Sequence, residues 1–134
     1  MQADRRVHGG PEKAVHHYAG ENYARLAARF PQIADALVVG SIGENISTVG
    51  LDESTVCIGD TYRLGSAVVQ VSQPRRPCWK IDARYGISGI TAFIVDSGHT
   101  GWYYRVLEEG AAGDGDDFSL VERPVGAVPL ATLW

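Results

Sequence analysis

The chain is poor in sulfur: 134 residues hold two cysteines and one methionine. Cys57 and Cys78 cannot form a multi-bridge disulfide framework, and neither sits in a CxxC or CxxH spacing that would suggest zinc. A chain of this length buries roughly two-thirds of its unfolded surface without cross-links. An apolar run of the ~20 residues that cross a membrane is missing, and so is a signal-peptide pattern. The expectation is a reducing, cytoplasmic home with no membrane partner. Positive charge is also short. Lys and Arg number 12 against 16 Asp and Glu, a net charge of −4, which argues against broad nucleic-acid binding. No Walker loop, dinucleotide fingerprint or serine nucleophile elbow occurs.

What is present is an ordinary globular composition, 45% hydrophobic and 21% charged, that fits one domain. The first ten residues, polar and glycine-rich, read as a loop. PEKAVHHYAGENYARLAARFP reads as one helix, with Gly10 as N-cap, Pro11 at the first helical position and Pro31 as terminator. Val15, Ala19, Tyr23, Leu26 and Phe30 would form its apolar face. His16 and His17 would then diverge by roughly 100°, so they could not share an ion, and at least one would be exposed.

ALVVGSIGENISTVGLDESTVCIGD reads as short strands between glycine turns. TYRL and AVVQVSQ read as a hairpin closed by Gly65 and Ser66. SGITAFIVDSG reads as a short helix capped by Ser88 and stopped by Gly98. GWYYRVLEEG and FSLVERP read as further strands. A Gly-Asp-x-aromatic-x-Leu pattern occurs at Gly59–Leu64 and again at Gly115–Leu120, and reads as two similar turns entering strands. Many short strands with few helices predict an α+β domain, mainly β, with the topology of a partly closed barrel.

Chemistry concentrates in three segments. In VSQPRRPCWK, two prolines break a strand and present Cys78 among Arg75, Arg76 and Lys80, with Arg84 close behind. Nearby cations lower a thiol's pKa and favour the thiolate, a nucleophile and soft metal ligand. The alternative is a buried structural cysteine, which is the reading for Cys57 in TVCIGD. A basic patch on an acidic chain suits a small anion. In HGGP, His8, Gly9 and Gly10 allow close approach to a ligand at a helix start; an ordinary helix start is the alternative. GENIST offers a carboxylate, an amide and two hydroxyls in a glycine-bounded loop, able to hydrogen-bond a heterocycle or to do nothing of the kind. His99 sits in a turn-like setting without an evident ligand partner. Trp79, Trp102, Tyr103 and Tyr104 read as core.

Taken in order, DRRVHGGPEKAVHHY, GENIST, VCIGDTYRLG, VSQPRRPCWK and SGHTGWYYRVLEEG resemble the MOSC domain family, named for the C-terminal domain of molybdenum-cofactor sulfurases, and within it the YiiM-type branch. The resemblance runs from Asp4 to Val121. It implies a MOSC-type, partly closed β-barrel with a few short helices. It also implies a molybdenum cofactor of the pyranopterin (molybdopterin) type, with Cys78 as candidate molybdenum ligand and catalytic residue. By the same analogy His8, Gly9 and Gly10 line the cofactor pocket, Glu44 and Asn45 contact the pterin, and Arg75 is the basic partner.

The branch implies reduction of small N-hydroxylated compounds, such as hydroxylaminopurine base analogues, with electrons from an external reductase. A non-catalytic cofactor-binding or sulfur-carrier module, a cofactor-free thiol enzyme using His8 or His99 as base, and an inert remnant stand as alternatives. Relatives carry further strands before the DRRVHGGP segment, so residues 1–134 read as a single, apparently truncated MOSC domain, and open strand edges predict a homo-oligomer.

Overall fold

The computed structural model describes residues 4–7, 15–38, 42, 46–76, 80–113 and 116–133. Its organising element is a strand that the sequence disguises as helix. Val15–Ala19 forms β2, following β1 at Asp4–Val7, and among the described residues of the expected helix the α-helical part is Gly20–Arg29 (α1). The apolar spacing suited a helix, but Val-His-His-Tyr carries a β-branched and three ring side chains, which fit a pleated surface. Strand alternation sends His16 and Tyr18 to one side and His17 to the other. Both histidines are buried, His16 at 4% and His17 at 0% exposure. The expected exposed histidine is therefore overturned. That they do not converge holds, for the reason of strand geometry. The opening segment, expected as loop, likewise contains β1.

The remaining elements are β3 (Ile46–Thr48), β4 (Thr61–Leu64), β5 (Ala67–Pro74), α2 (Lys80–Tyr85), α3 (Ile90–Ser97), β6 (Trp102–Glu108), β7 (Gly110–Gly113) and β8 (Phe118–Glu122). Short 3-10 turns lie at Pro31–Ala36 and Leu130–Leu133. Six strands form one mixed sheet in the order β3-β2-β6-β5-β4-β8, parallel only between β2 and β3, while β1 and β7 pair antiparallel beside it. Register breaks between Val68 and Val69 and between Val71 and Gln73 on β5 curl the sheet. The result is a half-barrel of α+β class, mainly β, as expected. The two echoing Gly-Asp segments lead into β4 and β8, which pair with each other, Leu64 opposite Phe118.

Two cores result. The concave side collects Val56, Tyr62, Leu64, Val69, Val71, Trp102, Tyr104 and Leu130. The other packs Tyr18 of β2 against Tyr23, Leu26 and Phe30 of α1 and Ile81, Ile90 and Ile94 of α2 and α3. His17 belongs to the concave core. Its Nδ1 lies 2.9 Å from the Tyr104 hydroxyl and its Nε2 2.8 Å from Thr48 Oγ1. Burial, aided by His16, lowers its pKa to about 3, so it is a neutral packing residue. Cys57 is buried as expected, in an isolated bridge to Pro129 rather than a strand.

Asp60 ties the chain's C-terminal arm to this core. It accepts from Arg123 Nε and Nη2, each at 2.8 Å, from the Cys57 amide at 2.9 Å and from the Tyr62 hydroxyl at 3.3 Å. Burial alone would raise its pKa, but these partners hold it below the ordinary carboxylate value. Gly98 ends α3 with φ +75°, as expected, but Ser88 does not cap it. Asp82 of α2 does so instead, accepting from Thr91 N at 2.8 Å and Gly89 N at 3.2 Å.

Candidate functional site

Arg75 follows directly on the last residue of β5, where Pro74 ends the strand without interrupting its interior. Its amide donates to the Gly101 carbonyl at 3.0 Å, continuing the β5–β6 pairing by one bond. Its half-buried guanidinium reaches back over the sheet. Nη1 donates to the Ile42 carbonyl at 2.9 Å and lies 3.4 Å from His16 Nδ1. His16 in turn packs on Tyr103, its cross-strand partner, at a ring-centroid distance of 5.4 Å.

One guanidinium thus joins three chain segments. His16 follows the HGGP segment, Ile42 immediately precedes Gly43-Glu44-Asn45, and Arg75 stands three residues before Cys78. Of the residues expected at the site, Arg75 is described, and its guanidinium lies between the Ile42 carbonyl and the His16 ring. His8, Gly9, Gly10, Glu44, Asn45 and Cys78 lie outside the described residues, as does Trp79. The described half of GENIST departs from the expected loop. Ile46–Thr48 is β3, and the Thr48 hydroxyl is engaged by His17.

Gly101 is the site's tightest point. Its φ is +76°, and a Cβ there would lie 2.7 Å from the His17 carbonyl oxygen, 2.8 Å from His16 Nε2 and 3.0 Å from Tyr18 Cδ1. The backbone can cross β2 so closely only because this residue has no side chain. Behind it lies Glu53, 1% exposed, whose Oε2 accepts from the Gly101 amide at 2.7 Å and from Asn22 Nδ2 at 3.1 Å. His99 stands beside Glu53, its Nδ1 3.6 Å from Oε1.

His16, Glu53 and Gly101 were missed by sequence reasoning. The β-prone run Val-His-His-Tyr-Ala could have revealed His16. Nothing in LDEST distinguishes a buried Glu53 from a surface turn. Among the described residues no three His, Cys, Asp or Glu side chains are grouped to hold a metal ion, so a metal would depend on donors such as Cys78. The Arg75 guanidinium is half-buried and spends only part of its fixed fork of donors on the Ile42 carbonyl, a chemistry that suits an anionic group.

Comparison with known proteins bears on the family and the fold. Residues 4–119 match the MOSC domain. Protein YiiM of Escherichia coli (strain K12) is 43% identical over 122 residues, covering 91% of this chain and 54% of YiiM. A protein named "Reductase" from Gibberella moniliformis is 42% identical over 118 residues, covering 87% of this chain and 21% of that protein. The crystal structure of YiiM from Geobacillus stearothermophilus superposes with a TM-score of 0.89 at 38% identity, over 97% of this chain and 66% of that one. The chain therefore spans about half the length of its YiiM relative from Escherichia coli. With a match over most of its length and the same half-barrel, the chain belongs to the MOSC domain family.

Proposed function

We propose that this domain binds a molybdenum pyranopterin cofactor through Cys78 and uses it to reduce N-hydroxylated compounds. The observation that carries the reading is the convergence on Arg75, which ties together the flanks of the HGGP, GEN and PRRPC segments. Cys78 is three positions after Arg75, so covalent geometry limits their Cα separation to about 11 Å. When bound, the cofactor would supply the two-electron redox centre at which the N–O bond is cleaved.

The chain's own residues do the rest. Cys78 would supply a thiolate, favoured by the cations next to it in sequence, Arg75, Arg76 and Lys80. Arg75, held at its amide by Gly101 and at its guanidinium by Ile42, has little freedom to lose when it meets an anion. Buried His16 backs the guanidinium and keeps water from that side. The overall reaction is R–NHOH + 2e⁻ + 2H⁺ → R–NH₂ + H₂O. The electrons come from an external protein reductase. The fungal relative's name, "Reductase", agrees with this class of chemistry.

The test is turnover. Protein made in a cofactor-competent host, supplied with an N-hydroxylated purine analogue and a reduced viologen dye, is expected to release the amine. Arg75→Ala should lower the rate at least about tenfold, the equivalent of one lost charge-assisted hydrogen bond. Cofactor-loaded protein that releases no amine would refute the reductase reading and favour a non-catalytic cofactor-binding module.

A further inference from the structure

Glu53 is a buried carboxylate only half satisfied. Oε2 holds the Gly101 and Asn22 donors, but Oε1 has no hydrogen bond among the described residues. A buried, incompletely paired carboxylate is costly, and such groups cluster where function requires them. The nearest donor to Oε1 is His99 Nδ1, at 3.6 Å. That is too long for a hydrogen bond but suits an ion pair once the ring is protonated.

The same Nδ1 lies 3.5 Å from Arg25 Nη1. One ring nitrogen therefore has both a donor and an acceptor within 3.6 Å. A neutral ring can accept from Arg25, and a protonated ring can donate to Glu53. Arg25 on α1 and Glu53 in the β3–β4 connection are the charged groups set against this nitrogen. Arg25 is itself anchored to Asn22 Oδ1. It also acts on Asp52, whose carboxyl burial pushes up and whose Ser54 hydrogen bonds, with Arg25 and Thr55, bring below its ordinary value. The His99 side chain is 34% exposed, so solvent protons reach it.

The far side of Glu53 leads to the candidate site. Its Oε2 binds the Gly101 amide, and the Gly101 carbonyl accepts the Arg75 amide at 3.0 Å. We propose that Glu53 is the positioning residue of the Arg75 site and that His99 is its titratable partner, so that protonation of His99 is passed through Glu53 and Gly101 to Arg75. The consequence for cofactor binding rests on the proposed function. The coupling itself does not.

The test is a pH titration of the full chain by heteronuclear NMR, on protein made without cofactor, so that its outcome is independent of the reductase assay. The Gly101 and Arg75 amide resonances are expected to shift with the same midpoint as the His99 ring signals. In Glu53→Gln and in His99→Gln, that pH-dependent shift of both amides should disappear while the folded spectrum persists. A merely structural Glu53 would leave the amides insensitive to the His99 titration. Amides that ignore His99 in the wild type, or that follow the same curve in Glu53→Gln, would overturn the proposal. Should Glu53→Gln fail to fold, His99→Gln decides the matter alone, since that side chain is partly exposed and dispensable to the core.

Discussion

Gly101→Ala is expected to destabilise the domain by roughly 2–5 kcal/mol, the sum of placing a side chain at positive φ and overpacking a close backbone crossing. That is a large part of the 5–15 kcal/mol typical of a whole domain. The contacts responsible are the His17 carbonyl and the His16 and Tyr18 rings, all within 3.0 Å of the new Cβ. None can retreat easily, since Tyr18 and His17 are buried at 1% and 0% exposure. Gly126→Ala is the matched control, with nearly the same φ (+75°) and nothing within 4 Å of its Cβ. It should cost only the backbone term, about 1–2 kcal/mol. Urea denaturation of both variants measures the difference. Equal losses would mean that the crossing at Gly101 is not as close as described.

Acid should weaken the fold well before its carboxylates protonate. His17 has an ordinary pKa near 6.5 when unfolded and about 3 when folded, chiefly through burial and then through His16. Between those values the unfolded chain binds the extra proton, so stability rises with pH across the window and is fully present above 6.5. As pH falls from 6.5 toward 3, the loss approaches about 1.4 kcal/mol per pH unit. Asp52 and Asp60, both held below the ordinary carboxylate value, add their own losses only below roughly pH 4. Denaturation of wild type and His17→Gln at pH 7.0, 5.5 and 4.5 separates the contributions. The wild type should lose stability steadily, on the order of 2 kcal/mol by pH 4.5, and the variant should lose markedly less. Parallel curves would place His17 outside the concave core.

The hairpin of β4 and β5, the β6 aromatic strand and the Gly98 stop were legible because each is encoded locally, by alternation or by a glycine at positive φ. The strand at Val15–Ala19 was not. Its apolar spacing satisfies both periods, and the choice is made by tertiary pairing to β6 and β3, which a local window does not contain. The α3 cap was misread for a similar reason, since Asp82 reaches it from eight residues before Ile90. At the site, Arg75 was legible from the PRRPC motif. Its partners were not, because Ile42 contributes a carbonyl, Gly101 a carbonyl and His16 a ring brought close by strand pairing. A backbone acceptor has no residue signature.

The central claim is a cysteine-anchored molybdenum site beside Arg75. Elemental analysis of molybdenum and phosphorus, on wild type and Cys78→Ala purified from the same cofactor-competent host, tests it most directly. The account predicts close to one molybdenum per chain in the wild type, phosphorus in step with it, and little of either in the variant. Wild-type protein without molybdenum, or a Cys78→Ala variant that keeps it, would contradict the account.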